Sequence, residues 1–454
     1  MNDKHGLLTQ PIGRVLYNMT LPNLIGILTI MGGSLVDMFF IGKLGTEALA
    51  AISFTFPVTL VVSSIAIGIG AGLSRNFARY MGSGDIAQAK IFLFDVLLIT
   101  FALFSIIALI GLMFIDPLFT LLGASESTLY LIHDYMFFMY LGAPILSLLM
   151  VLNQALRATG DTRTPAKIMM SAAIVNIVLD PLLIFGIGPF PRMELQGAAI
   201  ATLMSWLVAV LVSGYLIIIK RDLISPAKIQ FTRLKNSFAT LSHIARPASL
   251  MNMINPIANG VILAMLARVD QASVAAFGAG MKLESLIIIV VMALSSSLNP
   301  FIAQNLGAGN THRAKEGLLL SLKFVLIFQT LLIVPLWFSS QWIAELFSSD
   351  PLVVDWLSFY IQIVSLAYGF LGMVIIFANS LNAYNRPMSS LAINVARLFL
   401  LLLPGAALGL IVGGVKGVMV ALPITNIIMG IACYILATKI SEADTPMGKT
   451  KPVS

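Results

Sequence analysis

The stretch Asn23-Leu-Ile-Gly-Ile-Leu-Thr-Ile-Met-Gly-Gly-Ser-Leu-Val-Asp37-Met-Phe-Phe40 decides the class of this chain. It follows Pro22 and is close to the length of about 20 apolar residues that a helix needs to cross a bilayer. It carries one carboxylate, Asp37, near its far end. A charge at such a depth costs about 2.5–3.5 kcal/mol on insertion scales, so it is usually kept for a function. The alternative is that Asp37 touches lipid headgroups or caps the next loop, Gly42-Lys-Leu-Gly45.

The composition of the whole chain indicates a helical membrane protein. Of 454 residues, 58% are hydrophobic and 10% are charged, against about 45–50% and about 25% in soluble proteins. The charged residues cluster between apolar runs that are too long for the strands of a membrane barrel. The single cysteine, Cys433, excludes an intrachain disulfide and a multi-thiolate metal site, and the four histidines are not paired. The first apolar run is too long for a signal peptide and lacks a small-residue cleavage site.

Twelve apolar segments reach the length of a membrane span. With the N-terminus inside, the inner loops, tails and helix ends hold 21 of the 27 basic residues, and the outer loops hold four. This bias places both termini in the cytoplasm, and it explains the formal charge of +7 without a nucleic-acid partner. The predicted spans are 15–40, 50–72, 91–115, 128–151, 165–187, 196–219, 241–266, 273–299, 317–340, 353–381, 388–411 and 417–438. The predicted domains are an N-lobe (1–219), a basic cytoplasmic linker loop (220–240), a C-lobe (241–438) and a cytoplasmic tail (439–454).

The two lobes are internal repeats at a shift of 225 residues. Leu21-Pro22 aligns with Arg246-Pro247, and the segment 76–90 aligns with 301–315, with Ala, Gly, Gly, Ala and Lys identical in register. The shift spans six helices, an even number, so the repeats have the same orientation and are related by an axis along the membrane normal. Two such pseudo-symmetric six-helix lobes leave a cleft between or within them, which is the usual architecture of alternating access.

Five polar residues of the N-lobe spans are predicted to lie at similar depth in the outer half of the membrane. Asn176 and Asp180 are four residues apart and therefore share one helix face. No lysine or arginine within the spans of that lobe lies at their level. The predicted site comprises Asp37, Tyr135, Asn176, Asp180 and Thr202.

Two carboxylates in one dry pocket cannot both ionise cheaply, so Asp37 and Asp180 are expected to titrate jointly. Such a pair suits a proton carrier or a hard-oxygen site for a small cation. A sodium ion could be held by Asp37, Asn176, Asp180 and Thr202. The structural alternative for Asp180 is a hydrogen bond across helices beside the break at Pro181.

The C-lobe lacks the carboxylate pair. Asp37 corresponds to Ile262, and the segment after Asn394 has no acid that matches Asp180. The C-lobe spans carry Lys282, Glu284 and Arg397 instead. Their roles stay open between interhelical structure, cleft-lining polarity and a second coupling site.

Prolines stand at repeat-equivalent positions near the cytoplasmic ends of helices one and seven. Pro22 precedes the helix that carries Asp37 and has Pro247 as its counterpart. Proline frees a backbone carbonyl and permits a bend, which neighbouring helices in a membrane can accommodate. Pro22 is therefore predicted to be a hinge, the alternative being a static proline of the first turn.

Four segments together resemble the multidrug and toxic compound extrusion (MATE) transporters: 36–51, Arg157-Ala-Thr-Gly-Asp-Thr-Arg-Thr-Pro165, Asn176–Pro181 and Gly197-Ala-Ala-Ile-Ala-Thr202. The absence of membrane acids on predicted helices seven and ten resembles the DinF-like branch. The resemblance implies a V-shaped fold of two six-helix bundles and extrusion of cationic or amphipathic drugs in exchange for protons or sodium ions. It also implies that the first-lobe network is tied to bending of helix one at Pro22.

The expected protein is thus a multidrug efflux antiporter of the inner (cytoplasmic) membrane, not an enzyme, that works as a monomer without a cofactor. Protons entering from outside would neutralise Asp37 and Asp180, bend helix one and displace the drug outward. A lipid or lipid-linked precursor flippase is the alternative within transport. An intramembrane aspartyl protease is disfavoured because Asp180 lacks a Gly-x-Gly-Asp pattern, and a passive channel would not need the duplication.

Overall fold

The computed structural model describes residues 6–121, 124–226 and 228–440, and within these ranges the chain forms helices joined by short loops. The cytoplasmic tail predicted at 439–454 lies almost wholly outside the described residues. The fifteen α-helices are α1 (Ile12–Gly42), α2 (Thr46–Ser83), α3 (Ile86–Met113), α4 (Ile115–Leu121), α5 (Glu126–Ala158), α6 (Arg163–Phe185), α7 (Glu194–Tyr215), α8 (Phe231–Leu266), α9 (Gln271–Ile287), α10 (Ile289–Gly307), α11 (Thr311–Phe347), α12 (Pro351–Ser365), α13 (Tyr368–Ala383), α14 (Pro387–Val395) and α15 (Leu403–Lys439). Two π-helical turns, Leu216–Lys220 and Ala396–Leu402, follow α7 and α14.

Ten helical stretches of the described residues are long and apolar enough to cross a membrane by themselves, and α12 with α13 makes an eleventh across a 59° bend. The last stretch, Pro387–Lys439, holds 53 residues, so as one helix it would measure about 80 Å, against about 30 Å of hydrocarbon. It is two spans, because the chain doubles back at Gly414 (φ 57°, ψ −138°).

The close approach of Gly409 and Gly417 proves this turn. Eight residues apart, they would lie about 12 Å from each other in a straight helix. Instead, a Cβ added to Gly409 would lie 2.3 Å from the Gly417 carbonyl oxygen. The described residues therefore form twelve spans when the bent pair is counted as one span and the doubled-back run as two, in agreement with the predicted twelve.

Several predicted boundaries differ from the structure, among them the end of α2, which lies at Ser83 instead of residue 72. The segment predicted as one span at 273–299 is broken between α9 and α10, where the side chain of Gln329 donates to the Ile287 carbonyl at 3.1 Å. The helix predicted to start at residue 241 begins at Phe231, inside the predicted linker loop. A search for apolar spans misses these ten residues because they are largely polar; Arg233 and Ser237 bind them to the buried Asp95 of α3.

The described residues divide into two compact units, Leu21–Ser249 and residues 6–20 with 250–440. Helices α1 and α8 each contribute residues to both units, because the chain passes from one unit to the other at Leu21 and at Leu250. In the first unit α5 packs against α2, α3 and α7, and α6 packs against α7. In the second unit α13 packs against α10, α11 and α15, around a core that includes Phe277, Tyr360 and Tyr368.

Gly197 lets α6 and α7 approach closely in the first unit. A Cβ at this position would lie 2.6 Å from the backbone of Leu183. The neighbouring Ala198 and Ala199 are almost completely buried. Small residues at such a contact allow helix backbones in membranes to approach each other, and here they bring the polar side chains of α6 and α7 within reach of one another.

Candidate functional site

Asn176 links the polar side chains of α6 and α7. Its amide Nδ2 donates to Asp180 Oδ1 at 3.2 Å, one turn further along α6. The same nitrogen lies 3.4 Å from Thr202 Oγ1 on α7. Asp180 itself is completely buried, and Pro181 follows it inside α6. Because proline lacks an N–H, the helix hydrogen bond to the Ile177 carbonyl is missing beside the carboxylate.

Asp37 on α1 and Tyr135 on α5 belong to the same site because they interact electrostatically with Asp180. The Asp37 and Asp180 carboxylates lie close enough to act on each other, and both act on the Tyr135 hydroxyl. Tyr135 is buried in a core that also contains Ile41, while Asp37 is half-buried. The structure thus places all five predicted residues in the first unit: three share hydrogen bonds, and the other two are electrostatic neighbours of Asp180.

Each of the two carboxylates has a buried oxygen without a partner among the described residues. Asp37 Oδ1 and Asp180 Oδ2 are buried and form no hydrogen bond with the described residues. No lysine or arginine among these residues forms an ion pair with either acid. A buried acceptor left unpaired costs about 1–3 kcal/mol. A proton on either acid would supply a donor, and a bound cation would supply a charge, so the arrangement can respond to either.

The described residues contain no group of three or more His, Cys, Asp or Glu side chains that could hold a metal ion. A sodium site at Asp37, Asn176, Asp180 and Thr202 would draw on two carboxylates, an amide and a hydroxyl, all of them hard oxygen donors of the kind such cations prefer. The sodium hypothesis stays a prediction beside the proton hypothesis.

Pro22 lies inside α1, which is helical from Ile12 to Gly42. The chain passes between the two compact units at Leu21, directly before this proline, and at Leu250, three residues after Pro247. The two repeat-equivalent prolines therefore lie next to the two points where a helix leaves one unit for the other. A hinge at Pro22 stays a prediction.

Sequence reasoning missed a buried ion pair in the first half of α3. Asp95 is completely buried and receives hydrogen bonds from the guanidinium of Arg233 at 3.0–3.2 Å and from the Ser237 hydroxyl at 2.7 Å. The partners are 138 and 142 residues away, so no local pattern joins them. The available signal was an acid near the predicted inner end of a span, in a chain whose longest predicted inner loop is basic.

A second polar cluster in the first unit holds the loop between α5 and α6. Asp161 Oδ1 accepts from the backbone N–H groups of Arg163 and Thr164 at 3.0 Å, and Oδ2 accepts from the Thr164 hydroxyl and from Arg221. Burial acts to raise the pKa of Asp161, but the Thr164 hydrogen bonds and the Arg221 guanidinium outweigh it and hold that pKa below its ordinary value.

The three charged residues of the second unit are in different environments. Lys282 is exposed. Glu284 Oε2 accepts a hydrogen bond from the buried Tyr360 hydroxyl at 3.2 Å. Arg397 is 7% exposed and donates to Asn255 and Asn426. Lys282 and Glu284 thus do not act as a pair, as their spacing of two residues predicts.

The first unit also has a small apolar cavity of about 110 Å³. Helices α2, α5 and α7 line it with methionine, aromatic and small polar side chains, including Thr59, Met136, Met139 and Trp206. Flexible methionine side chains adapt to varied apolar ligands.

Comparison with known proteins gives consistent matches over most of the chain. The MatE family profile matches twice, at residues 22–182 and 247–408, and the two matches begin 225 residues apart, as the internal repeat predicts. A relative described as an FAD transporter, from Shewanella oneidensis, is 66% identical over 442 residues, covering 97% of this chain and 98% of its own. The multidrug export protein MepA of Staphylococcus aureus is 26% identical, with 82% of each chain covered.

Solved structures agree with these matches. The Vibrio cholerae MATE transporter VcmN in its bent form superposes with a TM-score of 0.91 at 30% identity, covering 95% of this chain and 98% of its own. An outward-facing multidrug resistance MATE family transporter superposes with a TM-score of 0.88 at 23% identity, covering 96% and 97%. The likeness confirms the predicted all-helical, multi-span fold of the MATE type.

Proposed function

The chain belongs to the MatE family of membrane transporters, which are not enzymes, and from this premise we propose that it exports FAD from the cytoplasm. The observation that carries the proposal is the relative named as an FAD transporter, which is 66% identical over almost the full length of both chains. The relatives named for multidrug resistance or multidrug export are 26–27% identical over 70–82% of this chain. This difference favours FAD over the drugs expected from the family resemblance.

We propose that the carboxylate pair couples this export to protons or sodium ions. The support is geometric, because Asp37 and Asp180 each hold a buried, unpaired oxygen and act on each other. Charge neutralisation by an incoming ion would change the Asn176–Asp180–Thr202 hydrogen bonds and, through Asp37, the conformation of α1. Pro22 is the hinge in this scheme. The coupling ion and the substrate then influence each other reciprocally through the conformation of the transporter.

The membrane potential would also favour export of an anion. FAD carries a diphosphate, and outward movement of negative charge is downhill in a cell with a negative interior, by about 2.3 kcal/mol per charge for each 100 mV. We place the protein in the cytoplasmic membrane as a monomer with both termini inside, in agreement with its basic inner loops. We also assign it to the DinF-like branch, because α8 carries no acid and the Asp37–Asp180 pair lies in the first unit.

Multidrug efflux is the second candidate function. It is favoured by the similarity to MepA and by the cavity lined by Met136, Met139 and Trp206. A cationic drug would suit the acidic first unit, whereas FAD would not, so one measurement of substrate range separates the two functions.

The test uses purified protein reconstituted in vesicles, with a proton gradient, a sodium gradient or a membrane potential imposed separately. Transport of FAD, riboflavin and a fluorescent cationic drug is measured under each condition. We expect FAD transport that one ion gradient accelerates. Transport of the drug without FAD would instead support multidrug efflux, and transport of neither would contradict both.

The coupling role is tested with Asp37→Asn and Asp180→Asn. Asn cannot take up or release a proton, so gradient-driven export should fall to the level of empty vesicles while the protein still inserts. Asp116→Asn is the matched control, because it removes an exposed acid of the same unit. Export by Asp37→Asn at the wild-type rate would disprove the coupling scheme.

A further inference from the structure

Arg397 in the second unit is a buried cation within a π-helical turn. Its side chain is 7% exposed, and it lies in the π-helical turn Ala396–Leu402 between α14 and α15. Turns of this kind are rare and frequently mark functional sites. A charge held within a membrane-spanning unit is a functional hypothesis by default.

The hydrogen-bond partners of Arg397 are neutral. One terminal nitrogen donates to Asn255 Oδ1 on α8 at 2.8 Å, and the other donates to Asn426 Oδ1 on α15 at 3.2 Å. The Nε atom is buried and has no hydrogen-bond partner among the described residues. Amide oxygens orient a guanidinium, but they do not neutralise its charge, so Arg397 keeps both a net charge and a free donor.

Glu284 is the acid that acts on Arg397, but the two side chains do not form an ion pair. The two groups act on each other electrostatically, but no carboxylate oxygen of the described residues lies within 4 Å of an Arg397 nitrogen. Glu284 Oε2 instead accepts from the Tyr360 hydroxyl at 3.2 Å. A buried charge without a close partner is costly; an incoming anion would remove that cost.

The position of Asn255 gives an anion a route to Arg397. Asn255 is exposed on α8, so the hydrogen-bonded group reaches the surface of its unit. Arg397 combines an unused donor with the lack of a carboxylate within ion-pair distance among the described residues.

The acidic site of the first unit is unsuitable for a phosphate. Asp37 and Asp180 would repel it when ionised, and no cation pairs with them among the described residues. A guanidinium, by contrast, presents its N–H groups in a planar fork that matches two phosphate oxygens.

We propose that Arg397 recognises a phosphate group of a nucleotide-type substrate, with Asn255 and Asn426 orienting its guanidinium. The proposal rests on FAD export as the proposed function and deepens it, because the diphosphate is the anionic part of FAD. The second unit would then select the anion, while the carboxylates of the first unit respond to the coupling ion.

Four variants test the proposal. Arg397→Met removes the charge, and Arg397→Lys keeps the charge but loses the planar fork. Asn255→Asp places a carboxylate where an amide oxygen now lies 2.8 Å from the guanidinium, so the arginine gains an internal counter-ion. Lys282→Gln is the matched control, because it removes an exposed cation of the same unit. Binding of FAD, riboflavin and inorganic pyrophosphate to each purified protein is measured by calorimetry.

We expect wild type to bind FAD more tightly than riboflavin by roughly ten- to hundredfold, the value of one or two charge-assisted hydrogen bonds. This preference should disappear in Arg397→Met and Asn255→Asp, decrease in Arg397→Lys, and persist in Lys282→Gln. Because Asn255→Asp satisfies Arg397, it should fold even if Arg397→Met does not.

An unchanged preference in Asn255→Asp would overturn the proposal, since a merely structural arginine tolerates that change. An equal loss of FAD and riboflavin binding in Arg397→Met and Asn255→Asp would also overturn the proposal. If wild type neither binds nor transports FAD, the proposed function fails, and pyrophosphate decides the role of Arg397. Pyrophosphate binding that is lost in Asn255→Asp would support an anion site, and absence of binding would exclude one.

Discussion

Asn176 donates through one amide nitrogen to Asp180 on its own helix and reaches Thr202 on the next, at 3.2 and 3.4 Å. This single side chain joins α6 to α7 beside a fully buried carboxylate. The Asn176 donor is shared between a carboxylate and a hydroxyl. A change in the charge of Asp180 is therefore expected to alter the contact between the two helices.

Thr202→Val should weaken this link without removing a charge. The valine methyl group cannot accept from Asn176, and a net hydrogen bond contributes about 0.5–1.5 kcal/mol, so the export rate should fall roughly 2- to 10-fold. Thr202→Ser keeps the hydroxyl and should export close to the wild-type rate. Initial rates of gradient-driven transport in vesicles measure both. Equal rates for the valine variant and wild type would show that Thr202 is not part of the network.

Gly197→Ala should destabilise the first unit. The added Cβ would lie 2.6 Å from the backbone of Leu183, and backbone cannot rotate away, so α6 and α7 must separate at a cost of about 1–3 kcal/mol. Gly214→Ala on the same helix is the control, because a Cβ there meets nothing within 4 Å. Thermal unfolding in detergent should give a lower midpoint for the first variant alone. A reduced coupling between ion and substrate would follow, since Asn176 and Thr202 would also separate.

Asp161→Asn should lower stability at neutral pH, and this effect should vanish in acid. The Thr164 hydrogen bonds and Arg221 hold the pKa of Asp161 below its ordinary value. A carboxyl whose pKa is lower in the folded state stabilises the protein above the unfolded pKa, about 3.9, and that stabilisation is lost as pH falls through the folded pKa. The difference in unfolding midpoint between wild type and variant should therefore be constant near neutrality and shrink below about pH 4. A difference independent of pH over this range would assign the effect to packing instead.

Asp95→Asn should be among the most destabilising single changes outside the predicted site. It would leave the guanidinium of Arg233 facing a fully buried position without its counter-ion, at a cost of about 3 kcal/mol or more. Lys90→Gln is the contrasting variant. It breaks the 2.5 Å pair with Asp222, whose side chain is 78% exposed, and exposed pairs contribute about 0–1 kcal/mol. Chemical unfolding should show a larger loss in the free energy of unfolding for Asp95→Asn than for Lys90→Gln. The reverse order would contradict the role of burial.

Composition and span length predicted the helical membrane class, and the shift of 225 residues predicted the repeat that the family profile matches twice. These features follow from the sequence because lipid imposes an apolar length on every spanning helix. The turn at Gly414 also followed, since it lies between the predicted spans 388–411 and 417–438. The break after Ile287 and the polar start of α8 at Phe231 did not follow, because contacts with neighbouring side chains decide them.

The features of the candidate site can likewise be separated into those that the sequence predicted and those that only the structure decided. The rarity of acids inside spans singled out Asp37 and Asp180, and helical spacing placed Asn176 beside Asp180. That Asn176 also reaches Thr202, that Arg233 pairs with Asp95 and that Arg397 lies between two asparagines without a close carboxylate depended on contacts between distant parts of the chain. The sequence by itself determined which residues are costly to bury in a membrane, since that cost is a property of each side chain. Only the tertiary structure decided which of them are paired and which keep an unused charge or oxygen, since pairing depends on how the helices pack.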